Sequence, residues 1–134
     1  MAKKEKSCGG VIVEGGQVLM VLQENDGFYG FPKGHVEPGE TEIETAKREI
    51  LEETGVETEL DASKRVEVFY HIDADDIDKT VILFAGKPIN GTDITPQTGE
   101  IKEVKWVEAS SVDDVLTRDS WKNAWHKMKE IIEE

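Results

Sequence analysis

Residues 34–56 read GHVEPGETEIETAKREILEETGV, and this stretch decides the fold. Thr41 and Glu44 fit a capping box, while Gly55 supplies a C-terminal stop. Between these signals, small or apolar side chains recur at helical spacing, at Ile43, Ala46, Ile50 and Thr54. The stretch therefore predicts a helix over about 42–54, preceded by a loop.

Three glutamates of this helix, Glu49, Glu52 and Glu53, stand at positions i, i+3 and i+4. That spacing places their carboxylates along one flank, where we expect them to converge. Like charges at this spacing destabilise a helix by about a few tenths of a kcal/mol per pair. Such an arrangement is tolerated where bulk water or a bound cation reduces the repulsion. Taken alone, the pattern is typical of a solvated helix face.

The spacing of the whole stretch is more specific than its glutamates. Gly34 is followed by Glu40, Arg48-Glu49, Glu52-Glu53 and Gly55-Val56, with Ile50 and Val56 at aliphatic positions. This resembles the Nudix box of the Nudix hydrolase family at every defining position. The resemblance implies a loop–helix–loop flanked by a mixed sheet. It also implies an enzyme that hydrolyses a phosphoanhydride bond in a nucleoside-diphosphate-linked substrate.

The family likeness also implies a metal site. Glu52 and Glu53 are then expected as metal ligands, Glu49 as a ligand or general base, and the backbone carbonyl of Gly34 as a further ligand. Mg²⁺, for which Mn²⁺ is a possible substitute, takes oxygen ligands and keeps several waters. Bound there, it would neutralise charge on the phosphates and activate a water to attack phosphorus.

Three further residues have predicted roles around this site. Arg48 is expected to pair with a carboxylate and hold its rotamer, with a phosphate contact as the alternative. Glu40 is expected either to complement the helix N-terminus or to bind a peripheral metal. Glu100, just before a predicted strand, is a candidate metal ligand or general base, because family members differ in whether the base lies in the box.

The rest of the chain predicts strands around two helical regions. Gly9 to Val13 and Gln17 to Gln23 form a predicted hairpin through Glu14-Gly15-Gly16. Residues 24–40 carry too many glycines and prolines for regular structure and predict a shaped loop. Further strands are expected over 66–72, 80–86 and 104–107, with an acidic loop over 73–79.

Two helices close the chain. Ser110 is expected to cap a short one ending at Leu116, and a last helix over about 119–133 carries Trp121 and Trp125 as core residues. Strands before, between and after helical regions predict an α/β protein with a mixed β-sheet and helices on both faces. The fold class is therefore an α/β/α sandwich.

Composition narrows the function classes. The hydrophobic share of 37% suffices for one core, and we expect one domain over residues 1–134. The formal charge of -13, from 16 basic and 29 acidic residues, disfavours binding to duplex nucleic acid.

The absence of a signal peptide or membrane-spanning segment predicts a cytoplasmic protein without membrane partners. Cys8 lies in an apolar run, which predicts a buried thiol.

The loop before the helix narrows the choice of substrate class. Residues 30–40 are similar to the form common in diadenosine polyphosphate hydrolases and their diphosphoinositol-polyphosphate relatives. Lys33 is a candidate phosphate contact, and three aromatics are candidate base or substrate contacts: Tyr29, Tyr70 and Phe84. The acidic loop over 73–79 argues against an inositol substrate and also weakens the dinucleotide assignment.

The leading expectation is hydrolysis of diadenosine tetraphosphate to ATP and AMP. A nucleoside triphosphate or an RNA 5' end is the alternative substrate within the same chemistry. A non-catalytic nucleotide-sensing module is the alternative from another class, disfavoured because the box retains its glutamates. The partner is expected to be a small nucleotide, with monomer and homodimer both open.

Overall fold

The structure, a computed structural model, describes residues 2–24, 27–97 and 99–133. Its strands are β1 (Lys3–Glu14), β2 (Gln17–Gln23), β3 (Tyr29–Gly30), β4 (Lys33–His35), β5 (Thr58–Ile72), β6 (Ile77–Pro88) and β7 (Ile101–Glu108). Its α-helices are α1 (Glu42–Thr54), α2 (Val112–Val115) and α3 (Asp119–Glu133). Short 3-10 turns cover Asp73–Asp75 and Ala109–Ser111.

The strands form a mixed sheet in the order β3-β2-β1-β6-β5. β4 pairs with β1, and β7 pairs with β2. β1 and β6 are parallel, whereas the other described pairs are antiparallel. The predicted hairpin is present between β1 and β2, where Gly15 and Gly16 take positive φ angles of 58° and 79°. Glycine suits this tight turn because it adopts such angles without steric cost.

Side-chain alternation divides the central strands between two faces. Val11, Val81 and Leu83 pack against α3, whose buried residues are Trp121, Ala124, Trp125 and Met128. On the other face, Cys8, Ile82 and Phe84 cluster with Ala46 of α1. Helices thus cover both faces of a mixed sheet, and the predicted α/β/α sandwich is confirmed. The buried thiol of Cys8 and the core tryptophans are confirmed as well.

Several predicted boundaries were wrong. β1, β5, β6 and β7 extend beyond the predicted ranges, chiefly because polar residues alternate along their exposed ends. The predicted loop over 24–40 contains β3 and β4, whose pairing with β2 and β1 is a tertiary effect; residues 25 and 26 lie outside the described residues. α2 begins after Ser111, so Ser110 is not its cap, and Ser111 makes no side-chain capping bond. No described helix is long and apolar enough to cross a membrane.

Candidate active site

Helix α1 is fixed at both ends by local hydrogen bonds. The Glu44 backbone N–H donates to Thr41 Oγ1, and the Thr41 N–H donates to Glu44 Oε1, which completes the predicted capping box. Gly55 ends the helix in a left-handed conformation, and its N–H donates to the Leu51 carbonyl. Glu49, Glu52 and Glu53, which form the glutamate flank, therefore lie on a rigid helix. The packing of its buried side chains in the core fixes which way the flank faces.

Glu53 is the most deeply placed of these glutamates. It is 4% exposed, and its Oε1 accepts a hydrogen bond of 3.1 Å from the Lys33 backbone N–H of β4. Burial raises the pKa of Glu53 to about 7, and the charges of Glu49 and Glu100 act in the same direction. A buried carboxylate with this few partners favours a nearby cation.

Gly34 and Glu49 are in direct contact across β4 and α1. A Cβ at position 34 would overlap the carboxyl group of Glu49, so glycine is required for the approach. Burial raises the pKa of Glu49, while its hydrogen bond with Arg48 lowers it. The backbone of Gly34 and this half-buried carboxylate therefore form one wall of a polar site beside Glu53.

Arg48 links the loop before α1 to the glutamate flank. Its Nε and Nη2 atoms donate to the two carboxylate oxygens of Glu40 at 2.7 and 2.9 Å. Its Nη1 atom donates to Glu49 Oε1 at 2.7 Å and lies 3.3 Å from Glu52 Oε2, and Nη2 also donates to the His35 carbonyl. The predicted pairing of Arg48 with a carboxylate is thus present in the structure.

Glu40 accepts several hydrogen bonds at the junction between the loop and α1. The hydrogen bond from Arg48 holds its pKa at about 2, well below the usual value. Its Oε1 also receives the hydroxyl of Thr45 and the backbone N–H of Glu37. The capping bonds at the start of α1 are instead made by Thr41 and Glu44.

Glu100 stands at the end of a loop that is tied to α1. In this loop, the Thr95 N–H donates to the Thr54 carbonyl and the Gln97 N–H to the Glu53 carbonyl, while Trp106 Nε1 donates to the Thr92 carbonyl. Glu100 itself is exposed. Its negative charge nevertheless contributes to the raised pKa of both Glu49 and Glu53.

A second group of polar residues lies on the opposite face of β4 and its neighbours. Lys79 of β6 is 5% exposed, and its Nζ donates to Ser7 Oγ at 2.7 Å and lies 3.7 Å from Glu5 Oε1. Burial lowers the pKa of Lys79 to about 8, and the charge of Lys33 adds to the effect. Two lysines therefore face the same region of the sheet.

This lysine pair adjoins an aromatic cleft. Lys33 Nζ lies 6.0 Å from the ring centroid of Trp121, and the Trp121 and Tyr70 rings are 6.4 Å apart, edge to face. Tyr29 also lines the cleft, with Lys105 Nζ 4.5 Å from its ring centroid. Sequence reasoning missed Lys79 and Trp121 as residues of this region. The apolar alternation of Val81 and Leu83, extended back by two, would have placed Lys79 on the buried face.

The prediction for Phe84 was wrong. Phe84 is 2% exposed and packs with Cys8, Ala46 and Ile82 under α1. Because Tyr70 lies on the face toward α3, the sheet separates the two aromatic rings. Phe84 is a core residue and lines no part of the cleft.

A wider groove lies elsewhere in the described chain. It measures about 550 Å³ and is lined partly by Leu60, Ala85 and Ile132. None of the glutamates of α1 reaches it. Its volume exceeds that of the aromatic cleft, and no glutamate of α1 lines either cavity. The aromatic cleft is nevertheless connected to the glutamates through Lys33, which lines it and whose backbone N–H donates to Glu53.

A model of the NUDIX domain matches residues 4–130. The chain belongs to the Nudix family. Residues 34–56 are accordingly its Nudix box, and the loop, helix and flanking sheet agree with the fold that the box implied.

Among curated Nudix relatives, a putative mutator protein, MutT4, of Mycobacterium tuberculosis (strain CDC 1551 / Oshkosh) is 32% identical over 114 residues, covering 77% of this chain and 46% of the relative. The asymmetrical bis(5'-nucleosyl)-tetraphosphatase of Mus musculus is 55% identical over 41 residues, covering 29% of this chain and 28% of that protein. The matched part thus spans less than half the length of these relatives.

Solved Nudix structures agree with the fold over nearly the whole chain. The binary complex of a C. elegans Ap4A hydrolase superposes with a TM-score of 0.83, at 23% identity over 96% of this chain and 98% of that one. A NUDIX hydrolase from Nitrosomonas europaea gives a TM-score of 0.76 at 19% identity, over 96% of this chain and 90% of that one. At these identities the likeness concerns the fold.

The donor chemistry of the Nudix box fits a hard divalent cation. The available ligands are the carboxylates of Glu49, Glu52 and Glu53 and the carbonyl of Gly34, all oxygen donors. Within residues 2–24, 27–97 and 99–133, no three acidic, histidine or cysteine side chains are already gathered about one point. Arg48 holds Glu49 and Glu52, while Glu53 accepts from Lys33. The expected convergence of the three carboxylates therefore requires side-chain rotation.

Proposed function

We propose that this Nudix protein is a hydrolase that cleaves phosphoanhydride bonds in a nucleotide, using Mg²⁺, with Mn²⁺ as a substitute. One observation carries the proposal: β4 has the buried carboxylate of Glu53 on one face and the side chain of Lys33 on the other. Glu53 accepts from the backbone of Lys33, whose side chain lies on the cleft side. Positive and negative groups so placed suit a polyphosphate held between cation-binding carboxylates and lysines.

The proposed roles follow the geometry of the box. Glu49, Glu52, Glu53 and the Gly34 carbonyl would hold the metal, which would supply charge neutralisation and an activated water. Arg48 orients Glu49 and Glu52. Glu49, Glu53 and Glu100 are the candidates for the base that accepts a proton from the attacking water.

The substrate-binding proposal places the phosphates near Lys33 and Lys79. Both side chains face the cleft side of the sheet, and Tyr29, Tyr70 and Trp121 offer rings beside it. A nucleoside at the end of a phosphate chain would use such rings for stacking. We therefore propose diadenosine tetraphosphate, cleaved to ATP and AMP, as the substrate. The segment shared with the mouse tetraphosphatase at 55% identity supports this choice.

A nucleoside triphosphate is the second candidate. It is favoured by a match to a putative 8-oxo-dGTP diphosphatase of Bacillus subtilis (strain 168), which is 44% identical over 52 residues, covering 39% of this chain and 35% of that protein. The two candidates differ in what lies beyond the phosphates. A dinucleotide has a second nucleoside to bind, whereas a triphosphate ends at the γ-phosphate.

The test is product analysis with Mg²⁺ and a panel of substrates. The panel contains diadenosine tetraphosphate, ATP, 8-oxo-dGTP and 5'-triphosphorylated RNA, with Glu53→Gln as the inactive control. Selective formation of ATP and AMP, with ¹⁸O from labelled water in one product, supports the proposal. Turnover confined to a triphosphate moves the assignment to the second candidate. If folded protein turns over no member of the panel, the non-catalytic nucleotide-sensing module is favoured.

A matched pair of variants tests the cleft. Tyr70→Leu removes a ring beside Trp121, and we expect a several-fold rise in KM for diadenosine tetraphosphate. Phe84→Leu removes a ring from the core under α1, and we expect lower stability, by about 1 kcal/mol, with KM unchanged. Equal effects of both variants on KM would contradict the proposal that a nucleotide base stacks in the aromatic cleft.

A further inference from the structure

Thr45 makes an unusual hydrogen bond for a buried threonine in a helix. Such hydroxyls often donate back to the carbonyl one turn earlier, as Thr54 Oγ1 does to the Ile50 carbonyl at 2.6 Å. Thr45 is fully buried in α1, yet its Oγ1 donates to Glu40 Oε1 at 2.9 Å. Its hydroxyl therefore serves the loop before the helix and not the helix backbone.

The Glu40 carboxylate is surrounded by donors. Its Oε1 atom receives Thr45 Oγ1 at 2.9 Å, Arg48 Nη2 at 2.9 Å and the Glu37 N–H at 3.0 Å. Its Oε2 atom receives Arg48 Nε at 2.7 Å. A carboxylate held by four donors has little rotational freedom, so the plane of the Arg48 guanidinium that it grips is fixed as well.

The remaining donor of Arg48 points at the metal-binding flank. Nη1 donates to Glu49 at 2.7 Å and lies 3.3 Å from Glu52 Oε2. A continuous chain of side chains thus runs from Thr45 through Glu40 and Arg48 to two proposed ligands. Position 45 is not one of the defining positions of the Nudix box.

We propose that Thr45 is a positioning residue for the metal site, an inference that rests on the proposed function of Glu49 and Glu52 as ligands. Its hydroxyl fixes Glu40, Glu40 orients Arg48, and Arg48 holds the carboxylates of Glu49 and Glu52 in the positions from which they rotate toward the metal. Residues that orient ligands in this way typically contribute about 10- to 100-fold to metal affinity or activity.

The experiment separates the hydroxyl of Thr45 from its shape. Thr45→Val keeps the branched shape and removes the donor, whereas Thr45→Ser keeps the donor and removes a methyl group. Mn²⁺ affinity is measured directly by electron paramagnetic resonance, together with the Mg²⁺ midpoint of activity, kcat and KM. We expect Thr45→Val to weaken Mn²⁺ binding and raise the Mg²⁺ midpoint about 10-fold, the lower end of that range, because Thr45 acts through Glu40 and Arg48. KM at saturating Mg²⁺ should stay unchanged, and Thr45→Ser should restore both metal readouts.

Thr54→Val is the matched control, because it removes another buried hydroxyl of α1 that donates to a backbone carbonyl. It should alter thermal stability without changing Mn²⁺ affinity. A Thr45→Val protein with wild-type Mn²⁺ affinity would overturn the inference. So would equal losses of Mn²⁺ affinity in Thr45→Val and Thr45→Ser, since packing alone would then be responsible.

A double-mutant cycle tests whether Thr45 acts through Glu40. In a Glu40→Gln background, Thr45→Val should weaken Mn²⁺ binding no further, whereas additive losses would contradict the proposed chain. The Mn²⁺ measurement also distinguishes the two proposals. If the wild-type chain hydrolyses no nucleotide but binds Mn²⁺ in a Thr45-dependent manner, the proposed function fails and the positioning inference stands. If an active Thr45→Val enzyme keeps its Mn²⁺ affinity, the proposed function stands and the positioning inference fails.

Discussion

At the scale of single residues, the site depends on how closely Gly34 approaches Glu49. Any Cβ at position 34 would overlap the Glu49 carboxyl group, which is held on its other side by Arg48. Gly34→Ala must therefore displace the carboxylate or the backbone of β4. We expect at least a roughly 10-fold loss of Mn²⁺ affinity, comparable with the loss of a ligand-orienting group, measured by paramagnetic resonance.

Gly15→Ala provides the comparison for this variant. Gly15 lies in the β1–β2 turn with a positive φ of 58° and open space around a Cβ. Alanine there costs about 1 kcal/mol through backbone strain and should leave Mn²⁺ affinity unchanged. If both variants lost stability equally and neither lost metal affinity, the contact between Gly34 and Glu49 would have no functional meaning.

Lys79 gives a prediction about pH and stability. Burial lowers its pKa to about 8 in the folded chain, below the ordinary value of 10.5. Between pH 8 and 10.5 the Lys79 amine is protonated in the unfolded chain but largely neutral in the folded one, so the free energy of unfolding rises with pH. Below pH 8 the amine is charged in both states, and the folded chain bears the full cost of burying that charge. A shift of this size corresponds to about 3 kcal/mol, at about 1.36 kcal/mol per pKa unit.

Lys79→Met should therefore be more stable than the wild type at pH 7, with an advantage that disappears as pH approaches 10.5. Urea denaturation at several pH values measures it, and Lys87→Met, an exposed position of the same strand, is the control. The stabilised variant should also show a raised KM for a polyphosphate substrate, because a proposed phosphate contact is lost. A pH-independent stability difference would contradict the assigned cause.

At the scale of elements, the sequence predicted α1 accurately because its signals are local. The capping box, the apolar spacing and the terminal Gly55 all act within the helix itself. The first half of β5 was missed because that strand lies at the edge of the sheet, where polar residues alternate and a register shift falls between Asp61 and Arg65. Local patterns contain little information about such an edge.

Two site residues show a different limit on prediction. Lys79 was assigned to an acidic loop, yet its burial depends on β1, which is distant in sequence and supplies Ser7. Phe84 was assigned to the substrate although it faces α1. Strand alternation predicts which residues share a face of the sheet. The helix that covers that face depends on the topology of the whole chain, which local patterns do not contain. The box glutamates could be predicted because their spacing lies within one helix.

The loop that carries Glu100 gives a prediction at the same scale. Trp106 Nε1 ties it through the Thr92 carbonyl, and the charge of Glu100 acts on Glu49 and Glu53. Trp106→Phe removes that hydrogen bond and loosens the loop, which stays joined to α1 by the Thr95 and Gln97 backbone bonds. We expect kcat to fall toward the value of Glu100→Gln, and the double variant to be no slower than Glu100→Gln alone.

Trp125→Phe is the matched control for the loop. The buried Trp125 Nε1 has no hydrogen-bond partner among the residues that the structure describes. Its replacement should lower the melting temperature through lost packing and leave kcat unchanged. Wild-type kcat in Trp106→Phe, together with a slow Glu100→Gln enzyme, would mean that Glu100 needs no support from this hydrogen bond.

At the scale of the whole molecule, the proposed substrate and the protein carry charge of the same sign. The formal charge of -13 repels a polyphosphate at distances beyond the lysine pair, while Lys33 and Lys79 attract it at close range. Monovalent salt screens the long-range repulsion more than contacts in a partly buried cleft, since the Debye length at about 0.1 M is about 10 Å. Salt should therefore help the two partners to meet.

We accordingly expect kcat/KM for diadenosine tetraphosphate to rise by about twofold or more between roughly 20 and 150 mM KCl at constant free Mg²⁺, because screening weakens the long-range repulsion. In Lys79→Met the relative rise should be larger, because local attraction no longer opposes the repulsion. Stopped-flow measurement at low substrate concentration tests both. A fall of kcat/KM with salt would mean that the lysine pair dominates the encounter, and that the acidic remainder of the surface is too distant from the cleft to influence it.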